Sequence, residues 1–259
     1  MSGIEIERNG GRATLWLNRP ERHNAFDDGL IAELSAALAA LAADSAIRVL
    51  LLAGRGKSFS AGADLAWMKR MAGYTAAENE ADAQKMAEML HRLDSLPKPT
   101  VALVQGAAMG GGVGLVAACD IAIATEDAQF AFSEARLGLT PATISPYVIA
   151  AIGPRAARRY FLTAERFDAR RALGLGLVSA VVPAADLAAE ASKLADILCQ
   201  NSPGAMAEAK RLIADVTGRP IDAALRYETA GRIARQRASA EGREGVAAFL
   251  EKRKPNWQG

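Results

Sequence analysis

The segment A-A-M-G-G-G-V-G-L-V-A-A-C-D, Ala107 to Asp120, sets glycine at 110, 111, 112 and 114 and continues as an apolar, helix-compatible run. Glycine has no Cβ, so the chain can turn sharply there or let a ligand lie against its main chain. A helix beginning just afterwards points unpaired N–H groups back at that ligand. The chemistry on offer is hydrogen bonding to negative charge; the plain alternative is close packing at a strand-to-helix connection. A phosphate loop is excluded, because no Lys-Ser/Thr follows the glycines and G-x-G-x-x-G is absent at 106–117. A second segment, G-R-G-K-S-F-S-A-G-A-D-L-A-W-M-K-R-M from Gly54 to Met71, also follows an expected strand and leads toward a helix. It puts Ala63 where a backbone N–H can stay free. Two such groups converging on one point form an oxyanion hole.

These segments need elements to position them. Alternating residues on either side of Asn9-Gly10-Gly11 in I-E-I-E-R-N-G-G-R-A-T-L-W-L-N predict a hairpin. A helix follows through D-D-G-L-I-A-E-L-S-A-A-L-A-A-L-A-A-D, capped by Asp27 or Asp28, and then I-R-V-L-L-L-A-G predicts a buried strand. T-V-A-L-V-Q-G, D-I-A-I-A-T-E and G-L-V-S-A-V-V-P predict three more strands, with helices between them. Such alternation implies an α/β architecture with parallel pairing. From about Asp186 the pattern is only helical, with Pro220 as a break.

With L-N-R-P-E-R-H-N-A-F-D-D-G-L at 17–30 and Q-F-A-F-S-E-A-R-L-G-L-T-P at 129–141, the whole chain resembles the enoyl-CoA hydratase/isomerase family, the crotonase superfamily. The most specific parts are F-S-A-G-A-D at 59–64, G-G-G at 110–112, and their separation. The resemblance implies a ββα spiral core over residues 1–195 and a helical C-terminal region over 196–259 that builds a homotrimer, or a hexamer as a dimer of trimers. It implies an acyl-CoA substrate whose thioester oxygen is held by the N–H groups of Ala63 and Gly111. Coenzyme A is part of that substrate, and neither a separate cofactor nor a metal is expected. The backbone around Arg22, His23, Asn24 and Ala25, with Ala61, Asp64, Leu65 and Gly110, matches the segments that hold coenzyme A. Lys252, in F-L-E-K-R-K-P, is a candidate for its phosphate beside the alternative of a solvated basic face.

Typical hydratases of the family use two glutamates, which the resemblance places at Gly114 and Glu134. Gly114 has no side chain to do that work, so Glu134 is the expected acid/base group. The missing side chain at 114 is expected to make room for an acyl branch or a bound water. One carboxylate suits an isomerase, which moves a proton between two carbons. It also suits a hydratase, because the group that takes the water's proton can return it to the α-carbon. Likeness of 63–83 and 137–169 to methylglutaconyl-CoA hydratases favours hydration of a branched enoyl-CoA, in leucine-type or fatty-acid catabolism. In W-M-K-R-M, Trp67, Met68 and Met71 are expected at the acyl pocket and Lys69 or Arg70 at a distal substrate carboxylate.

Composition constrains partners. With 51% hydrophobic and 23% charged residues the chain is globular rather than disordered, and a net charge of +2 argues against bulk attraction to nucleic acid. RNA binding is the alternative from another class, and G-P-R-A-A-R-R-Y-F-L-T-A-E-R-F-D-A-R-R-A-L-G is the only dense basic run it could use. The N-terminus lacks the apolar core of a signal peptide, no apolar run is of membrane-spanning length, and Cys119 and Cys199 sit among apolar residues. A cytoplasmic protein with reduced thiols is expected.

Overall fold

The computed structural model describes residues 2–258. The chain opens with the antiparallel pair β1 (Ile4–Asn9) and β2 (Arg12–Leu17), closed at Asn9-Gly10-Gly11 with Gly10 at φ 58°. Then come α1 (Asp28–Ala43), β3 (Val49–Gly54), α2 (Leu65–Met71), α3 (Ala76–Asp94) and β4 (Thr100–Val104). They are followed by β5 (Ala107–Met109), α4 (Gly111–Ala118), β6 (Ile121–Thr125), β7 (Gln129–Ala131) and α5 (Ser145–Thr163). The remainder is β8 (Phe167–Asp168), α6 (Ala169–Leu175), β9 (Ala180–Val182), α7 (Leu187–Cys199), α8 (Pro203–Val216), α9 (Ala223–Ala238) and α10 (Ala240–Leu250).

The main sheet runs β1-β2-β3-β4-β6-β9, parallel after the opening hairpin. β3 and β4 are buried along their whole length, as strands covered on both faces must be, and their apolar runs show no alternation for that reason. One face carries the larger core, against α1, α3, α4 and α5; on the other, Val49, Leu51, Val101 and Ile123 pack on Ala191 and Ala195 of α7.

After β3, β4 and β6 the chain steps into a smaller, second layer. β5 pairs in parallel with β7, β7 antiparallel with β8, and Ser60 bridges to Ala108 at the other edge. Each circuit is therefore a long strand, a short one and a helix, repeated as a spiral. The functional segments are the exits from those short strands.

The division expected at 195/196 falls inside α7, which continues to Cys199. Helices α8 to α10 attach through a few polar anchors. Lys210 pairs with Asp120 at 2.8 Å and donates to the Lys98 carbonyl at 3.1 Å, while the Arg48 guanidinium donates to the carbonyls of Asn201 and Trp257. Among the described residues, no helix is long and apolar enough to cross a membrane.

Candidate active site

Ala63 and Gly111 occupy equivalent places on adjacent circuits. Ser60 and Ala108 are register partners, and each functional residue lies three positions beyond its own partner. Neighbouring strands are spaced about 4.8 Å apart, a separation across which two N–H groups can share one oxygen. At Ala63 the ladder itself leaves the donor unused. Phe26 N–H donates to the Gly62 carbonyl and Asp64 N–H to the Phe26 carbonyl, both at 2.7 Å, so the peptide N–H of Ala63 points away from that partner strand. Gly111 opens α4, where the first N–H groups have no intrahelical acceptor. Among the described residues neither N–H makes a hydrogen bond.

Both residues line one cavity of about 170 Å³ with Phe26, Trp67, Met71, Met86, Thr140, Pro141, Thr143, Ile144 and Glu134. Glu134 begins a 3₁₀ turn, Glu134–Leu137, four positions beyond Phe130, the β7 partner of Ala108. A third circuit thus delivers the carboxylate beside the two amides. Its Oε2 is buried without a hydrogen-bond partner, and burial raises its pKa above the usual 4.5 against a smaller lowering by its own backbone N–H. Gly110 makes this possible. Its φ is 48°, and a Cβ there would lie 2.9 Å from Glu134 Oε1. The Gly110 peptide is otherwise committed to the fold, its N–H donating to Ala131 and its carbonyl accepting from Gly114.

The loop before α1 is held by Asn24, fully buried at φ 55°, which accepts from Arg19 N–H at 2.8 Å and donates to the carbonyls of Arg55 and Ser58. His23 is exposed with Nδ1 3.0 Å from Ser58 Oγ, its carbonyl accepts from Ala61 N–H, and the buried Ala25 gives its carbonyl to Arg19. Ala61 and Leu65 are exposed beside it.

Several expected roles change. Asp64 is only 7% exposed and is consumed as the N-cap of α2. Burial raises its pKa, but the N–H groups of Trp67 and Ala66 and the Arg22 guanidinium outweigh that and hold it below the ordinary range. Its side chain thus serves α2 and Arg22. On α2 the helical period selects Trp67 and Met71 for the cavity wall; Met68 and Lys69 are not part of that wall. Arg70 pairs with Asp28. Lys252 is exposed beyond α10 and also stands outside the wall.

Gly114 requires the largest correction. The space for its side chain is not open to an acyl branch or a water, because Ile144 fills it. A Cβ at 114 would collide with Ile144 Cγ2 and lie 2.9 Å from Ile144 Cβ. Ile144 is 2% exposed, and it is this residue, not Gly114, that lines the cavity.

The model of the enoyl-CoA hydratase/isomerase family matches residues 7–259. The chain belongs to that family. It is 34% identical over 256 residues to the crotonyl-CoA hydratase of Syntrophomonas wolfei, covering 98% of this chain and 97% of that protein. It is 35% identical over 262 residues to the 2,3-dehydroadipyl-CoA hydratase of Escherichia coli K12, covering 100% of each. The crystal structure of an enoyl-CoA hydratase from Shewanella pealeana superposes with a TM-score of 0.96 at 48% identity, over 98% of this chain and 96% of that one. Likeness of that order carries the crotonase fold with it.

Gly114→Ala tests the packing just described. Alanine favours a helix by about 1 kcal/mol over glycine, yet overpacking against Ile144 is expected to leave a net loss of about 1–3 kcal/mol in urea unfolding. Combined with Ile144→Ala, the pair should cost less than the sum of the single changes. A neutral or stabilising Gly114→Ala would contradict this packing.

Proposed function

We propose that this member of the family hydrates an α,β-unsaturated acyl-CoA, with Glu134 as its single acid/base group and the N–H groups of Ala63 and Gly111 as its oxyanion hole. One observation carries the reading: an unpartnered, buried carboxylate oxygen shares an apolar cavity with two unused backbone donors. The activities for which the Syntrophomonas and Escherichia relatives are named, both hydrations, support the same direction.

The chemistry then runs on this chain's own groups. The thioester oxygen accepts from Ala63 and Gly111, whose hydrogen bonds strengthen as it becomes an enolate oxygen; one such donor is worth about 10²–10³ in rate. Water attacks the β-carbon while Glu134 takes its proton, and the protonated Glu134 returns that proton to the α-carbon. The cycle closes with the carboxylate restored. A raised pKa suits this exchange, because the group must both accept and release a proton near neutrality. Coenzyme A enters as part of the substrate, along the loop of His23, Ala25 and Ala61.

The wall is mostly apolar, with Glu134, two threonine hydroxyls and the Trp67 indole N–H as its polar side-chain groups, which favours a short apolar acyl chain. A methylglutaconyl-type substrate carries a distal carboxylate and needs a cation; Lys69, exposed on α2, is the candidate to reach out to it, since Arg70 is engaged by Asp28. Helices α8–α10 support assembly into a homotrimer or a dimer of trimers. They and the α8–α9 connection expose Ile213, Ile221, Tyr227, Val246, Phe249 and Leu250, apolar surface that a second copy would cover.

Turnover of crotonyl-CoA, methylglutaconyl-CoA and a 3-enoyl-CoA separates the readings. Hydration of either 2-enoyl substrate is expected, and Glu134→Gln should lower it by several orders of magnitude without losing thioester binding. A variant within about tenfold of the parent, roughly 1.4 kcal/mol, would remove Glu134 from the mechanism. A double-bond shift of the 3-enoyl substrate alone would make the chain an isomerase.

The acid limb of kcat/KM should lie above the ordinary glutamate value, since activity needs the carboxylate and burial favours the acid. The linkage sign is also fixed. A carboxyl whose folded pKa is raised destabilises the folded state above that pKa, so Glu134→Gln should be at least as stable as the parent at neutral pH. Light scattering tests assembly: a multiple of three times 27.2 kDa is expected, and an active monomer would contradict it.

A further inference from the structure

Hydration by one carboxylate leaves the attacking water short of a partner. Its oxygen must aim a lone pair at the β-carbon and one hydrogen at Glu134. Unless its second hydrogen is also taken, the molecule is free to rotate out of line, and misplacement of that kind costs on the order of 10²-fold in rate. A second carboxylate at 114 would take that hydrogen. Here Ile144 occupies the place, and its side chain offers no acceptor.

The same turn of chain supplies another one. Among the described residues of the cavity wall, the polar side-chain groups besides Glu134 are the Trp67 indole N–H, which can only donate, and the hydroxyls of Thr140 and Thr143, which can accept. Thr143 immediately precedes Ile144, whose buried side chain is wedged against Gly114, so the backbone at 143 is held one residue from the side chain that fills the missing acid's place. Thr143 is half-buried, whereas Thr140 is exposed. Among the described residues the Thr143 hydroxyl makes no hydrogen bond, although the next hydroxyl along, Ser145 Oγ, donates to the Ala142 carbonyl at 2.8 Å. An unengaged hydroxyl in a largely apolar wall has capacity for a ligand or a water.

We propose that Thr143 is the water-positioning residue of this enzyme, its Oγ1 accepting the second hydrogen of the water that Glu134 deprotonates. The inference rests on the hydration reading above. As the water attacks, its O–H bond to Glu134 breaks and the C–O bond forms at the β-carbon. The π pair moves to the thioester oxygen held by Ala63 and Gly111, and the enolate then recovers the proton from Glu134 at the α-carbon. Thr143 neither gains nor loses a proton. The substitution of glycine at 114 and the placement of Ile144 and Thr143 form one unit: the isoleucine closes the old position and the threonine beside it takes over the water.

Two readouts on the same proteins test this. The first is kcat for hydration of whichever 2-enoyl-CoA of the panel is turned over fastest. The second is exchange of the α-protons of butyryl-CoA with deuterium oxide, which needs Glu134 and the oxyanion hole but no attacking water. Thr143→Val, nearly isosteric, should lose on the order of 10²-fold in hydration and keep the parent's exchange rate. Thr143→Ser should recover most of the hydration, and Thr140→Val should cost less hydration than Thr143→Val. Hydration by Thr143→Val at the parent rate, equal loss of both readouts, or a hydration loss that follows Thr140 instead would each overturn the assignment. A parent that exchanges α-protons yet hydrates no panel member would overturn the hydration reading, and the role of Thr143 with it.

Discussion

Everything at this site depends on two peptide N–H groups that end a strand without finding an acceptor. Ala63 is exposed and Gly111 half-buried, so both N–H groups face the open cavity, where a ligand can satisfy them. Here the spiral makes the arrangement recur: Ser60 and Ala108 are paired across the second layer, and the chain leaves each of them toward a helix in the same way. Phe26 satisfies the peptides on either side of Ala63 and so fixes the direction of the one between them. The donors are placed by ladder geometry. Side chains at 63 and 111 contribute little, and an alanine and a glycine suffice.

Glu134 extends the same logic to a third circuit. A largely apolar wall raises the free energy of its carboxylate, and among the described residues no cation lines the cavity to offset that. The group is therefore readier to take a proton than an exposed glutamate, at some expense to stability that the surrounding core of α1, α3, α4 and α5 covers. Gly110 links the oxyanion hole to the acid, since its bare Cα both permits the turn into α4 and leaves room for Oε1. Changes at this one residue would disturb both parts of the site.

The main strands, the opening hairpin and the Asp27 cap were legible because each rests on short-range pattern: apolar runs, Asn-Gly-Gly, an aspartate three residues before the N–H it accepts from. The second layer was not. β5, β7 and β8 are two or three residues long, too short for any periodicity to register. On α2 the helix was readable but the rotation of its inward face was not, so Met68 was grouped with Trp67 and Met71, the two that line the cavity. A helical period gives relative positions and leaves the rotation of the helix to tertiary packing. Gly114 shows the deeper limit. A glycine in place of an acid reads as space, yet the atoms that fill it belong to Ile144, thirty positions along the chain, and only the folded structure brings them together.

The central claim is that one carboxylate, on one face of the acyl chain, handles both proton transfers. Hydration of a 2-enoyl-CoA in deuterium oxide enriched in oxygen-18 tests it most directly. A single group that deprotonates the water and then protonates the enolate works from its own side. The product should therefore carry oxygen-18 at the β-carbon and deuterium at the α-carbon on the same face. Addition to opposite faces would require a second acid that the wall around Ile144 does not contain, and it would contradict this account.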